Sequence, residues 1–152
     1  MPFLIKMPID YMQRIEDLGE PFKIKTHDGY SFSCNKKVKI GQHTWFFIEE
    51  PKEHPKAHKI FLKSDILGET QIILYLHDPS KTYNVYFLHS LLPDNPYVTQ
   101  LHPKDFTNKD DALQICYNLA KERGKLIFSK GMSRRKLLNH KKNLFNIQKS
   151  FN

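Results

Sequence analysis

Residues 72–87, IILYLHDPSKTYNVYF, predict a β-hairpin that organises the rest of the fold. With residues 78–81 as its loop, the apolar side chains of the two strands face one another on one side, for example Leu74 opposite Val85. The other side carries polar and aromatic residues, namely Tyr75, His77, Thr82, Asn84 and Tyr86. Apolar side chains at every second residue are typical of antiparallel strands that have one face in a hydrophobic core.

An earlier stretch of the chain predicts a second hairpin. A loop at 27–29, with Gly29 in a left-handed conformation, places Ile24 opposite Phe32 and keeps one face of the hairpin apolar. A shorter loop would mix apolar and charged residues on both faces. The register with the longer loop is therefore the expected one.

Further strands and one loop are predicted between and after these hairpins. Val38 is expected opposite Trp45 across a tight turn. Residues 49–59 contain two prolines and alternating charges, which is typical of a loop. Two short stretches, 97–102 and 125–128, are expected to add strands nearer the C-terminus.

Three helices are also predicted. Residues 8–18 form a short N-terminal helix, because their apolar side chains recur at helical spacing. Residues near 108–123 form a packed helix, which Thr107 caps with Asp110 as the acid of a capping box. A basic helix begins near Ser133, where leucines and phenylalanines form a narrow stripe among lysines.

The fold class that follows is α+β. We expect a curved, mostly antiparallel sheet of about five to seven strands, with the three helices packed on it or following it. A length of 152 residues suits one domain with a basic extension. The expected organisation is a single α+β domain over 1–128 and a basic amphipathic C-terminal helix or tail over 129–152.

The positive charge of the chain lies in its last part. Residues 121–152 hold ten lysines and arginines and one acid, whereas residues 1–120 hold fourteen lysines and arginines and fifteen acids. Such asymmetry predicts a polyanionic partner, with nucleic acid favoured over an anionic membrane surface. The segment has no tryptophan and its apolar stripe is narrow, which argues against a membrane.

Two groups of residues are candidates for binding that partner. The first is the set of cations in the basic C-terminal segment: Lys130, Arg134, Arg135, Lys136, Lys141, Lys142 and Lys149. The alternative is that they form only the solvated face of a docked helix. The second group is Tyr75 and Tyr86, with Lys81 at the turn, which could stack bases. The alternative there is that a helix covers this face and the tyrosines belong to the core.

The remaining reactive side chains predict no catalytic residue, metal site or cofactor. Cys34 and Cys116 are far apart in sequence, which favours free, buried thiols in a reducing compartment. His54 and the histidine four residues later have the spacing of half a zinc site, but Pro55 argues against a regular helix and no cysteine pair or cluster of acids accompanies them. Whether His89 and His102 approach each other is left open by the sequence.

Three functional hypotheses follow. The leading one is a non-enzymatic, cytoplasmic protein that binds nucleic acid or docks onto a nucleoprotein. Its contacts would be backbone-dominated and weakly sequence-selective, because twenty of the cations are lysines and only four are arginines. The second is a small protein-binding inhibitor or adaptor of the anti-host-defence kind, whose basic tail occupies a nucleic-acid groove or acidic patch of its target. The third is a metal-free nuclease. The composition suits a phage or mobile-element gene, and the sequence does not indicate an oligomeric state.

Overall fold

The structure is a computed structural model that describes residues 14–91 and 98–129. These residues form a seven-stranded antiparallel sheet and two helices, α1 (Lys109–Lys121) and α2 (Arg123–Ser129). The strands are β1 (Glu16–Lys25), β2 (Ser31–Ile40), β3 (His43–Ile48), β4 (Ala57–Asp65), β5 (Gly68–His77), β6 (Thr82–Ser90) and β7 (Val98–Leu101). Each strand pairs with the next one in the chain, so the sheet is an open meander with β1 and β7 at its edges.

The strand registers predicted from sequence are confirmed. Ile24 lies opposite Phe32 in the β1–β2 hairpin, where Gly29 has a φ of 93°, a conformation that favours glycine. Val38 lies opposite Trp45 between β2 and β3. In the β5–β6 hairpin the pairs are Ile72 with Phe87, Leu74 with Val85 and Leu76 with Tyr83. The antiparallel sheet and the packed helix near 108–123, both parts of the expected α+β fold, are therefore present.

The sheet buries apolar side chains on both faces. Helix α1 packs on one face through residues such as Leu113 and Cys116, against a cluster that includes Trp45, Leu74 and Val85. The other face holds a second cluster: Phe32, Cys34, Ile48, Ile60, Leu62 and Ile73. Residues of α1 and Ile127 of α2 belong to the first cluster, so neither described helix covers the second one. The sheet itself curves over the second cluster instead.

The curvature brings the β1–β2 turn over the second face of β5. The backbone N–H of His27 donates to both carboxylate oxygens of Glu69, at 3.0 and 3.2 Å. His27 Nδ1 lies 3.1 Å from Ser90 Oγ, and Gln71 Nε2 donates to Asp28 at 3.5 Å. These hydrogen bonds hold the β1–β2 hairpin against strands β5 and β6.

The N-terminal helix predicted over 8–18 is wrong in the part that the structure describes. Strand β1 begins at Glu16, and Glu16 and Asp17 pair with Lys37 and Lys36 of β2. Leu18 is therefore a strand residue and is 37% exposed. Pairing with β2 overrides the helical spacing of the apolar residues. The remainder of the prediction falls on residues 1–13, outside the described part of the chain.

Two predictions near the C-terminus need correction. Residues 125–128 belong to helix α2 and not to a strand, because the Leu126 N–H bonds to Glu122 O at 3.1 Å and Ile127 is buried against the first cluster. The cap of α1 is Asn108, whose side chain accepts the Asp110 N–H at 2.8 Å, and not Thr107. The basic helix predicted over 129–152 lies beyond the described residues except for Ser129.

Both cysteines are free and buried, as predicted. Burial raises the pKa of the Cys116 thiol, and burial also raises that of Cys34 against the lowering effect of hydrogen bonds to Lys36 and Phe47. A buried, protonated thiol is a poor nucleophile.

We therefore expect neither thiol to react with a thiol-specific reagent in the native protein, and both to react once the chain is unfolded in urea. The double variant Cys34→Ala, Cys116→Ala should retain the fold, with circular dichroism as the check. Rapid labelling of the native protein would contradict this expectation and would point to a reactive cysteine.

Candidate ligand-binding groove at Tyr75 and Tyr86

A groove of about 640 Å³ opens on the face of the sheet opposite α1, beside the β5–β6 turn. Because Leu74 and Val85 point towards α1, their neighbours Tyr75 and Tyr86 point to the other face. The groove is lined by residues from the loop before β4 and from the β5–β6 hairpin: His54, Pro55, Lys56, Tyr75, Leu76, His77, Asp78, Pro79, Asn84 and Tyr86.

The two tyrosines belong to a connected set of rings. Tyr75 and Tyr86 meet edge to face, with centroids 4.8 Å apart and an angle of 80° between the rings. His54 contacts Tyr75 edge to face at 5.5 Å, and Tyr30 stacks on His54 at 4.9 Å. Tyr30 in turn stacks on Phe32 at 5.3 Å. Contacts on several sides fix the ring orientations, so the groove has a preformed aromatic wall.

Both tyrosines are half-buried and pack against the second cluster. Neither of the two described helices covers them, because α1 and the buried Ile127 of α2 pack against the cluster on the opposite face. The β1–β2 turn and the 49–56 loop lie against them instead. The exposed part of each tyrosine side chain lines the groove.

Two of the rings in the groove wall, Tyr75 and His54, are neutral at pH 7. Burial raises the pKa of Tyr75 to about 12, and the neighbouring Tyr86 and Tyr30 contribute to the shift. Burial lowers the pKa of His54, so its imidazole is neutral. The Tyr75 hydroxyl and His54 Nε2 are 3.4 Å apart, a long hydrogen bond. Lys56 and Asp78 are exposed and place one charge of each sign at the rim.

The predicted binding residues are only partly brought together. Tyr75 and Tyr86 line the groove, whereas Lys81 sits in the turn with a φ of 57° and is not part of the lining. The cations from Lys130 onwards lie outside the described residues. His54 and Lys56 were missed, since a loop of 49–56 with two prolines carries no periodicity that would relate it to β5.

Among the described residues, the histidines that the sequence suggested as pairs lie apart from each other. His54 contacts Tyr75 on the groove face, whereas the ring of His58 lies 5.8 Å from Tyr83, which faces α1. His89 lies opposite Val98 and its Nδ1 is 2.8 Å from Thr70 Oγ1.

His102, by contrast, donates its backbone N–H to Val85 O and packs its ring on Phe106. It lies four residues along β7 and its extension from Val98, the residue opposite His89, or about 13 Å at strand spacing. His89 and His102 therefore do not form a joint site. Within residues 14–91 and 98–129, no group of three or more His, Cys, Asp or Glu side chains could hold a metal ion.

A buried polar network at the far end of β5 has a structural role. Arg123, the first residue of α2, is 1% exposed. It donates to both oxygens of Asp65 at 2.7 and 3.0 Å, to Thr70 Oγ1 at 2.8 Å and to Gly68 O at 3.1 Å. In the sequence Arg123 is one of the ten cations of residues 121–152, but in the structure its charge holds α2 to the sheet.

Comparison with protein-family models, with curated proteins and with solved structures finds no match to this chain. Neither of the helices in the described ranges is long and apolar enough to cross a membrane.

Stability should fall as the pH is lowered from 7.5 to 5.5. Burial lowers the pKa of His43, His54 and His58, helped by nearby lysines at His43 and His58. Below a pH of about 6.5 these histidines therefore bind protons in the unfolded chain but not yet in the folded chain. The folded state loses stability as the pH falls from there towards 5.5. Urea midpoints followed by the fluorescence of Trp45 measure the effect. A triple variant with Gln at these three positions should show a smaller change, and equal wild-type midpoints at both pH values would contradict the prediction.

Proposed function

We propose that the protein is a non-enzymatic, cytoplasmic protein that binds nucleic acid or docks onto a nucleoprotein, through the basic segment over 130–152. The observation that carries the proposal is the distribution of charge. The described residues hold sixteen lysines and arginines and fourteen acids, a net charge of +2. Residues 130–152 hold seven lysines and arginines and no acid.

Five of the cations in the described residues lie within 4 Å of an acidic side chain. Lys23 lies 3.4 Å from Glu53, and Lys37 lies 3.4 Å from Glu16. Arg123 is paired with Asp65 and buried. Exposed pairs of this kind add little stability, but they show that the body balances its own charge.

The basic segment has no such internal balance. Without an acid among its residues, it lacks the pairs between residues three or four apart that support ordinary charged helices. Its counterions would come from a partner. Lysine contacts phosphate as a point charge, so we expect binding through the nucleic-acid backbone with little selectivity for sequence.

The test is the salt dependence of binding to arbitrary DNA and RNA, for the intact chain and for a chain that ends at Ser129. The intact chain should bind all sequences alike, with affinity that falls steeply as salt is raised, and the truncated chain should bind much more weakly. Absence of binding at low salt would contradict the proposal. Cleavage of either nucleic acid would favour the metal-free nuclease instead.

One observation favours the second candidate, a protein-binding inhibitor or adaptor of the anti-host-defence kind. Strand β1 is at the edge of the sheet and is exposed along most of its length, with Phe22 40% exposed. An exposed edge strand can accept a strand from a partner protein. In that case the intact chain would show no affinity for free nucleic acid, and Phe22→Glu would abolish binding to the target.

A further inference from the structure

The size and shape of the groove at Tyr75 and Tyr86 suit a small planar group. Its volume of about 640 Å³ falls within the usual range for ligand pockets, about 300–1,000 Å³. The wall is formed by rings from both strands, and two prolines, Pro55 and Pro79, lie at its sides. Flat, apolar surfaces with a few polar groups at the rim are what a nucleobase requires for stacking.

The rings are held in place before any ligand arrives. Tyr75 is contacted by Tyr86 on one side and by His54 on another, and His54 is itself stacked on Tyr30. A ligand that stacks there does not have to order these side chains, which lowers the entropic cost of binding. Both Tyr75 and His54 are neutral at pH 7, so these two rings add no charge to the groove.

The charge at the rim favours an anionic ligand on one side. Lys56 is exposed in the lining and is placed to meet a phosphate, whereas Asp78 lies at the turn of the hairpin. Asn84 is held by a hydrogen bond from its Nδ2 to Asp105. Aromatic grooves also bind proline-rich peptides, but the net charge of +8 and Lys56 in the lining favour a polyanion.

The groove and the start of α2, the helix that precedes the basic segment, lie in different parts of the fold. Arg123 fixes α2 at Thr70, on the face that carries α1. Tyr75 is five residues further along β5 and on the opposite face, about 17 Å away along the strand. The two regions can therefore be tested separately.

We propose that this groove stacks unpaired bases, so that the protein binds single-stranded nucleic acid in preference to duplex. The inference rests on the proposed function and adds the class of nucleic acid. Bases in a duplex are paired and stacked on one another, and their faces cannot enter a concave site on a sheet. Bases of a single strand can, whereas the phosphates of both forms are available to the basic segment.

The experiment uses the full-length protein, a labelled twelve-nucleotide single strand and a duplex of the same length. Tyr86→Leu should weaken binding of the single strand by about tenfold and change duplex binding by less than about twofold. Tyr86→Phe keeps the ring and should restore single-strand binding. Unchanged urea midpoints, followed by Trp45 fluorescence, show that the variants are folded.

A matched pair of charge variants tests the rim. Lys56→Gln should weaken single-strand binding, whereas Lys52→Gln, an exposed lysine of the same loop that does not line the groove, should not. Asp78→Asn should strengthen single-strand binding, because a carboxylate at the rim repels phosphate.

The outcomes separate the two proposals. If neither nucleic acid binds, the proposed function fails and the groove inference fails with it. If duplex binds and Tyr86→Leu leaves single-strand binding unchanged in a folded protein, only the groove inference is overturned. Binding of a proline-rich peptide that depends on Tyr86, with no such dependence for the single strand, would also overturn it.

Discussion

Replacing Arg123 with Met should lower the free energy of unfolding by about 3–5 kcal/mol, because it leaves the partners of a buried cation without their donor. Arg123 is 1% exposed and makes four hydrogen bonds, to Asp65, Thr70 and Gly68. Methionine fills a similar volume, so the loss reports on the polar contacts more than on a cavity. Urea denaturation followed by the fluorescence of Trp45 measures it.

Two control variants define the cause. Arg123→Lys keeps the charge, but an ammonium lacks the planar fork that reaches Asp65, Thr70 and Gly68 together, so most of the loss should remain. Lys125→Met alters an exposed residue of the same helix and should change stability by less than about 0.5 kcal/mol. A midpoint for Arg123→Met equal to that of wild type would show that this network does not hold α2 to the sheet.

The pH dependence of the Arg123 effect follows from its partner. Burial alone would raise the pKa of the Asp65 carboxyl, but the hydrogen bonds and charge of Arg123 outweigh burial and lower it. A carboxyl with a lowered folded pKa stabilises the protein above its ordinary value of about 4, and this contribution is lost as the pH falls through the folded value. The difference between wild type and Arg123→Met should therefore shrink in acid.

The hairpin registers could be predicted from sequence because they are local. In the β5–β6 hairpin, the turn at 78–81 and the alternation on each side leave one register that keeps Leu74 opposite Val85. The β1–β2 hairpin is fixed in the same way by Gly29. In both hairpins the turn residues and the apolar pattern agree, so no tertiary information is needed.

Strand β4 could not be recognised in the same way. Its central residues form an unbroken apolar run, because Ile60 and Leu62 belong to the cluster on one face and Phe61 to the cluster on the other. A sheet that curves over a second core has no solvent face at this point, and the strand loses the alternation that identifies a strand. Residues 125–128 of helix α2 were mistaken for a strand for a related reason, since a run of three apolar residues fits either structure.

The candidate groove was predictable only in part. The alternation of β5 and β6 placed Tyr75 and Tyr86 on one face from sequence alone. Which face α1 covers depends on the handedness and curvature of the whole sheet, which no local pattern carries. The contribution of His54 and Lys56 likewise depends on how the loop before β4 folds back on β5.

Reversing four cations of the basic segment, Arg134, Arg135, Lys141 and Lys142, to Glu should weaken binding to nucleic acid for all sequences alike. Each lysine or arginine that neutralises a phosphate adds about 0.9 to the slope of log affinity against log salt on duplex DNA, and about 0.7 on single strands. Loss of four such contacts should flatten the duplex slope by about 3.6 units. Fluorescence anisotropy over a series of salt concentrations measures both affinity and slope.

The matched control reverses four exposed lysines of the body, and so makes the same change in net charge. These residues are Lys25, Lys39, Lys52 and Lys104. If only net charge mattered, both variants would lose affinity equally. If residues 130–152 make the phosphate contacts, the control variant should keep most of the slope of log affinity against log salt. If the segment variant loses affinity equally for all sequences, its cations position the nucleic acid without specifying its sequence. A segment variant that binds as tightly as wild type would leave these cations as a solvated surface or a protein-docking element, and the inhibitor hypothesis would then lead.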